Sequence, residues 1–217
     1  LDSSIVNVSI PAIMADFGAN IDEIEWVLTG YMIAFATLMP LTAWLRDRMG
    51  YKALFIGSLF VFTAGSLLCG AAWNTESLVA ARVIQALGGG AISPTGMAMI
   101  SEVFPKEERG KAIGIWGMGV ILGPAIGPTL GGYLTKTFGW RSIFLVNLPI
   151  GIIAIMAAAE FLLRYRPHRS THRPFDFWGF LFLTLFLVSF LLGLSKGERE
   201  GWASAYIITC AALSLLG

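Results

Sequence analysis

Charged side chains are scarce in this sequence. Of its 217 residues, 13% are charged and 56% are hydrophobic, and the mean hydropathy is +0.72. A water-soluble domain needs a more polar surface than this composition provides. The net charge of +1 offers no overall attraction for nucleic acid or for an acidic partner. We therefore expect a membrane protein that contacts membrane lipid and has no nucleic-acid partner.

Cysteine and histidine are also rare, with two of each. Cys69 and Cys210 lie in separate apolar segments without the spacing of metal ligands, so we interpret both as core residues. His168 and His172 are four residues apart, but prolines on both sides would break a helix that placed them on one face. The sequence therefore predicts no metal site. Ionisable groups within the apolar runs are too few to place a nucleophile and a base at one depth, so we predict no catalytic residues and no enzyme.

Long apolar runs alternate with short polar connectors. The internal runs are long enough to cross a hydrocarbon core about 30 Å thick and predict six complete spans. The first and last runs predict partial spans, so we expect a fragment whose first and last helices are truncated. Connectors of this length make neighbouring spans antiparallel. The runs are 1–14, 25–45, 53–73, 77–103, 111–134, 142–163, 177–195 and 202–217.

The predicted fold class is an all-α polytopic membrane protein. Residues 1–163 would form a transmembrane bundle, 164–176 a basic cytoplasmic loop, and 177–217 additional transmembrane helices. Ten of the 15 Lys and Arg residues lie in the connectors after the second, fourth and sixth spans, whereas the first loop on the opposite side is acidic. By the positive-inside rule the basic loops are cytoplasmic, and the chain crosses the cell membrane several times.

Two charged residues lie within predicted spans. Placing Asp or Arg at the centre of a membrane helix costs about 2.5–3.5 kcal/mol, and such residues usually face a cavity or a partner. Asp2 lies in the first run, although truncation could hide an interfacial position. Arg82 lies on a polar and small face of the fourth span, where it either serves transport or ties two helices together. That face consists of Leu78, Arg82, Gln85, Gly89, Ser93 and Gly96.

The segment 114–132, GIWGMGVILGPAIGPTLGG, carries glycines at every fourth position from Gly119 to Gly131. On a helix these glycines form a strip without side chains, against which another backbone can pack closely. Pro124 and Pro128 would bend such a helix, and a membrane bundle can satisfy the carbonyls that they free. A flexible Gly/Pro loop is the alternative, but the apolar residues between the glycines favour a membrane helix.

Other polar features lie at the ends of the spans. In the connector LRDRMGYK, Gly50 can take a positive φ and Asp47 can accept from the amides that open the next helix. Trp140 suits the outer membrane interface, and Asn147 gives the sixth span a polar, weakened segment. The seventh span is bulky throughout, so we expect it to meet lipid over most of its surface.

These segments resemble motifs of the major facilitator superfamily, and specifically of its fourteen-helix drug:proton antiporter family. LDSSIVNVSIP resembles the first-helix motif, with Ser4 where Thr is common, and LVAARVIQALGGGA resembles the fourth-helix motif, with Ala86 for Gly. AWLRDRMGYK resembles the cytoplasmic loop motif, with Ala43 for Gly and Tyr51 for Arg. Residues 114–132 match the antiporter pattern in full, through Gly114, Gly123, Gly127, Pro128, Gly131 and Gly132.

The resemblance implies the N-terminal six-helix bundle of that superfamily, plus one extra helix and part of another, with a C-terminal bundle of the same chain as partner. It implies secondary transport by alternating access, in which protons exchange for lipophilic, often cationic small molecules, with no cofactor beyond the proton gradient. A proton-coupled symporter or facilitator for a polar small molecule is the alternative. The implied roles are proton coupling for Asp2 and Arg82, cavity lining for Gln85, Gly89, Ser93 and Asn147, close packing for the antiporter motif, and a cytoplasmic gate loop at Asp47, Arg48 and Gly50.

Overall fold

The computed structural model describes residues 2–162 and 174–216, and every regular element in those ranges is helical. Five segments are long and apolar enough to cross a membrane, which confirms the predicted class of an all-α membrane protein. The helices are α1 (Asp2–Phe17), α2 (Ile21–Gly70), α3 (Thr75–Val103), α4 (Lys106–Phe138), α5 (Ser142–Leu145), α6 (Asn147–Leu162), α7 (Phe177–Glu200) and α8 (Ala205–Leu216).

Helix α2 contains two of the predicted spans. A straight helix of its 50 residues would be about 75 Å long, more than twice the thickness of a hydrocarbon core. Gly50 breaks it with φ 79° and ψ 159°, a positive φ that glycine adopts without strain. Arg82 Nε then donates to Val27 O at 3.4 Å, and one turn later Cys69 Sγ donates to Gln85 Oε1 at 3.7 Å. The segments 21–49 and 51–70 therefore lie side by side and run in opposite directions.

Glycines bring α2 and α3 into close contact. A Cβ built on Gly65 would lie 2.5 Å from Gln85 Cα, and one built on Gly90 would lie 2.7 Å from Phe35 O. Real Cβ atoms do not approach other atoms so closely, so neither position has room for a side chain. Small residues that let backbones approach are a usual means of packing membrane helices. Through them α3 packs against both halves of α2.

The predicted sixth span divides into two helices at Val146, beside the polar residue predicted to weaken this span. Val146 keeps right-handed helical angles, φ −62° and ψ −24°, and Ser142–Phe161 is one apolar segment long enough to cross a membrane. Trp140, just before α5, packs within the bundle, and its place at the membrane interface stays a prediction. It is 5% exposed, and its ring lies 5.2 Å from that of Phe17. Its indole N–H donates to the exposed carboxylate of Asp16, at Oδ2, over 3.1 Å.

Two ends of the bundle can be distinguished by charge. The acidic end carries Asp16, Asp22, Glu23 and Glu25, and the basic end carries Arg46, Arg48, Lys52, Lys106, Arg109 and Lys111. At the acidic end Arg141 Nη1 donates to Asp16 Oδ2 at 2.8 Å, and Arg141 Nη2 donates to Ala72 O at 3.1 Å. The hydrogen bond from Arg141, followed by that from Trp140, lowers the pKa of Asp16 below its ordinary value of 3.8.

Helix α7 contacts α2 at both ends of the bundle. At the acidic end Arg199 forms ion pairs with Asp22 and Glu25. At the basic end the rings of Trp44 and Phe175 have their centres 4.9 Å apart. Between these ends few residues of α7 are fully buried, as expected for a helix that meets lipid. Most of the predicted basic loop, including His168 and His172, lies outside the described residues.

Candidate functional site

Four helices contribute side chains to one buried group, which we call the polar cluster. Its members are Asp2 from α1, Ser66 from α2, Arg82 and Gln85 from α3, and Asn147 from α6. Arg82, Gln85 and Ser66 have no exposed surface, and the Asp2 side chain is 10% exposed. The positions follow from the fold, because one face of α3 points into the bundle and the α5–α6 break places Asn147 at the start of α6.

The Asp2 carboxylate receives only hydrogen-bond donors. Arg82 Nη1 donates to Oδ2 at 2.5 Å. Gln85 Nε2 and Asn147 Nδ2 donate to Oδ1 at 3.0 and 3.1 Å. Both amides also donate to Ser66 Oγ, at 2.6 and 3.3 Å. Ser66 thereby holds the two amides in the orientation that stabilises an ionised Asp2.

Arg82 is held from several sides. Its Nη1 donates to Gln85 Oε1 at 2.6 Å as well as to Asp2, and its Cζ lies 3.8 Å from the centre of the Tyr31 ring. Tyrosine rings attract cations placed over their faces. The Phe144 ring lies 5.8 Å away on another side. Within the described residues Arg82 Nη2 is buried without a hydrogen-bond partner, so part of the guanidinium is unsatisfied.

The predicted cavity-lining residues divide into two groups. Gln85 and Asn147 belong to the polar cluster. Gly89 instead lies beside Tyr31, where a Cβ would be 3.1 Å from the hydroxyl, and Ser93 is partly buried further towards the basic end. Sequence analysis did not identify Ser66, because an isolated serine within an apolar run carries no periodic signal.

The antiporter-motif glycines occupy different surroundings along α4. Gly131 is buried, and a Cβ there would lie 3.0 Å from Ile5 O of α1, while Gly127 is also buried. A Cβ at Gly114 or Gly119 would meet no other atom within 4 Å. Close packing within this chain therefore applies to the acidic-end half of the strip and not to Gly119. The remaining motif positions, Gly123, Pro128 and Gly132, lie on the same uninterrupted helix.

The predicted gate loop differs from expectation at Asp47. We expected its carboxylate to accept from amides that open the next helix, but Asp47 Oδ1 accepts from Arg46 Nε at 3.0 Å and from Arg46 Nη2 at 2.8 Å. The helix runs on to Met49, so the chain turns only at Gly50 and the next amides are not presented to Asp47. The Arg48 guanidinium lies 5.0 Å from the Trp44 ring. The ring of Tyr51, which replaces an arginine of the motif, lies 5.5 Å from the Arg46 guanidinium.

The polar cluster is largely buried, whereas two cavities lie at the ends of the bundle. A cavity of about 510 Å³ lies at the acidic end between the starts of α2 and α3 and is lined by Trp26 and Glu76 among others. Another of about 320 Å³ lies at the basic end between α2 and α7. Neither is lined by a member of the polar cluster. A molecule entering through these openings would reach the cluster only after the helices rearranged.

An all-helical membrane bundle with a buried ion pair at the junction of four helices is typical of membrane transport proteins. The chain belongs to the Major Facilitator Superfamily, whose sequence profile matches residues 1–217. This assignment confirms the resemblance inferred from the motifs.

Relatives with names connected to multidrug efflux match most of the chain. It is 41% identical over 201 residues to the multidrug resistance protein B homolog of Mycobacterium tuberculosis, covering 93% of this chain and 37% of that protein. It is 35% identical over 213 residues to the multidrug export protein EmrB of Haemophilus influenzae, covering 98% and 42%. The chain thus spans well under half the length of these relatives.

Two further proteins broaden the comparison. The riboflavin transporter RibZ of Clostridioides difficile is 43% identical over 162 residues, covering 75% of this chain and 36% of that protein. The crystal structure of an auto-inhibited peptide transporter of the POT family superposes with a TM-score of 0.62 at 19% identity, covering 98% of this chain and 47% of that one. The second likeness concerns the fold alone.

Proposed function

We propose that this chain is part of a proton-coupled exporter of lipophilic, often cationic compounds that works by alternating access. The observation that carries the proposal is the buried ion pair of Asp2 and Arg82, placed where α1, α2, α3 and α6 meet. Intramembrane ionisable groups are retained mainly where they serve transport. The multidrug-related names of the relatives support the same substrate class.

In this proposal Asp2 carries the proton and Arg82 responds to it. Burial disfavours an isolated charge. While Asp2 is ionised, its negative charge and the positive charge of Arg82 compensate each other. Protonation of Asp2 removes the anion that holds Arg82 and so weakens the contact between α1 and α3. A cationic substrate competes for the same negative group, and this competition links the two fluxes. The relatives' greater length supports a C-terminal bundle that forms the other wall of the substrate cavity.

Efflux from proteoliposomes containing the full-length transporter tests the proposal. We expect Asp2→Asn and Arg82→Ala to abolish efflux driven by an imposed proton gradient while membrane insertion persists. Glu107→Gln changes an exposed carboxylate in the first turn of α4 and serves as the matched control. Unaltered proton-driven efflux in both cluster variants would remove Asp2 and Arg82 from the mechanism.

The relationship to the riboflavin transporter favours a second candidate, in which the same fold carries a polar small molecule. The amides of Gln85 and Asn147 could then serve polar groups of a substrate once the cluster opens. Counterflow of riboflavin, compared with efflux of a lipophilic cationic dye in the same vesicles, separates the two candidates. Riboflavin exchange without dye efflux would favour the second.

A further inference from the structure

One nitrogen of Arg82 lies between Asp2 and Gln85. Arg82 Nη1 donates to Asp2 Oδ2 at 2.5 Å and to Gln85 Oε1 at 2.6 Å. Next to it, Gln85 Nε2 donates directly to Asp2 Oδ1 at 3.0 Å. The Asp2 carboxylate and the Gln85 amide therefore lie side by side. Gln85 Nε2 donates to Asp2 Oδ1, and Arg82 Nη1 bridges the other two oxygens, Asp2 Oδ2 and Gln85 Oε1.

The orientation of the Gln85 amide follows from its partners. A guanidinium has five donors and no acceptor, so the amide atom 2.6 Å from Arg82 Nη1 must be the oxygen. The atom that faces the Asp2 carboxylate is then the nitrogen, which is the correct donor for an anionic oxygen. Gln85 therefore presents an acceptor beside Asp2 Oδ2 and a donor to Asp2 Oδ1.

We propose that Gln85 is a positioning residue. Through its amide oxygen, a proton on Asp2 and Arg82 Nη1 compete for the same position between Asp2 Oδ2 and Gln85 Oε1. This inference rests on the proposed proton coupling. A proton taken from water forms an O–H bond on Asp2 Oδ2. When this O–H points to Gln85 Oε1, it takes the place of Arg82 Nη1, which bridges the same two oxygens. The O–H then donates to Gln85 Oε1 while Gln85 Nε2 still donates to Oδ1. A carboxylic acid and a primary amide then form a cyclic pair with two hydrogen bonds, and Arg82 keeps all of its protons.

Displacement leaves Arg82 poorly satisfied. It loses both acceptors of Nη1, and Nη2 has none among the described residues. The remaining contacts are a long hydrogen bond to Val27 O, at 3.4 Å, and the face of Tyr31. A buried cation without a partner is strongly unfavourable, so Arg82 must move or recruit water. The charge of the pair meanwhile rises from 0 to +1, which disfavours a cationic substrate.

No described acidic side chain other than Asp2 belongs to this arrangement. The ionisable groups that face Asp2 are Tyr31 and Cys69 from α2 and Arg82 from α3. Helix α6 contributes the neutral amide of Asn147. Helices α4 and α5 approach this region with Gly131, against Ile5, and with Phe144, beside Arg82. Proton binding at Asp2 is therefore exchanged against Arg82 and not against a second carboxylate.

Infrared difference spectroscopy of the full-length transporter tests this exchange in the unmodified protein. The carboxylic-acid C=O band of Asp2 is identified by its loss in Asp2→Asn, and the guanidinium bands are shifted by ¹⁵N-arginine labelling and assigned by Arg82→Lys. On lowering the pH we expect the C=O band to appear and the Arg82 band to change at the same midpoint. An Arg82 band that stays constant while Asp2 takes up its proton would overturn the inference.

A variant of similar length, Gln85→Met, removes the acceptor. We expect the Asp2 C=O band to shift to higher frequency, as for an acid without a hydrogen-bond acceptor, and proton-driven efflux to be lost. Ser58→Ala is the matched control for the spectrum, because the Ser58 hydroxyl is buried on α2 like that of Ser66 but donates to Leu54 O, outside the polar cluster; its C=O band should not shift.

This inference can fail separately from the proposed function. If the wild-type protein shows no proton-driven efflux, the proposed function fails, and the inference fails with it. Proton-driven efflux that persists at the wild-type level in Gln85→Met, with an unshifted C=O band, overturns the role of Gln85 alone. The wild-type titration decides the question even if Gln85→Met does not fold.

Discussion

Arg82 has a full charge and no exposed surface, so its contacts determine whether α3 can remain in the bundle. The cation is balanced by Asp2, shares its Nη1 with Gln85 and lies on the face of Tyr31. A buried ion pair contributes little net stability compared with apolar side chains of similar volume, but removing one partner leaves the other charge uncompensated. Stability alone therefore does not account for the pair.

At the residue scale this asymmetry gives a measurable prediction. We expect Arg82→Met to lower the free energy of unfolding by about 3–5 kcal/mol, because Asp2 then lacks its cation. The double variant Asp2→Asn, Arg82→Met should recover a large part of that loss, since no buried charge remains. Thermal unfolding in detergent measures both. A double variant as unstable as the sum of the two single variants would show that the charges do not act as a pair.

The sequence identified only part of this site. Arg82 and Gln85 were predictable because they share a helical face with small residues, and Asp2 and Asn147 because a charge or an amide is conspicuous in an apolar run. Their mutual contacts were not predictable, since they depend on the close approach of α2 and α3 at Gly65 and on the break before α6. Ser66 was missed because a lone hydroxyl is common in membrane helices.

At the scale of elements, apolar length predicted the spans well because the bilayer sets the length of a helix. It could not show that α2 continues as helix through the charged connector on both sides of Gly50. It also could not show that the Trp140 indole packs within the bundle, against an Asp16 carboxylate and two phenylalanine rings. Composition describes which residues lipid tolerates, whereas these positions are decided by partners from other helices.

The contact between α1 and α4 gives a prediction at this scale. We expect Gly131→Leu to destabilise the protein by about 1–3 kcal/mol or more, because the new side chain would meet the Ile5 backbone of α1. Gly117→Leu on the same helix is the matched control, since a Cβ there meets nothing within 4 Å. Thermal unfolding of both variants measures the difference. Equal stability of the two would mean that α1 and α4 do not need a bare surface at Gly131.

At the scale of the whole molecule, α7 is fastened to α2 at both ends. Near the acidic end Ser195 Oγ donates to Glu25 Oε1 at 2.7 Å and lies 3.1 Å from Thr29 Oγ1, beside the ion pairs of Arg199. At the opposite end the Trp44 and Phe175 rings are in contact. Helix α8 packs in turn against α7, with Cys210 Cβ within reach of Gly193. Within the described residues, the α7–α8 pair is thus attached to the bundle of α1–α6 through α2.

This attachment predicts how the pair behaves when the transporter changes state. We expect α7 and α8 to move with the bundle of α1–α6 as one body, so the distance between spin labels at Ile21 and Leu194 should be the same at acidic and alkaline pH. In Arg199→Gln the distance distribution should broaden, because the ion pairs to Asp22 and Glu25 are lost. Lys136→Gln, an exposed basic residue of α4 at the same end, is the control and should leave it unchanged. A wild-type distance that shifts with pH would show instead that α7 slides on α2, and that the contacts at its two ends are remade in each transport cycle.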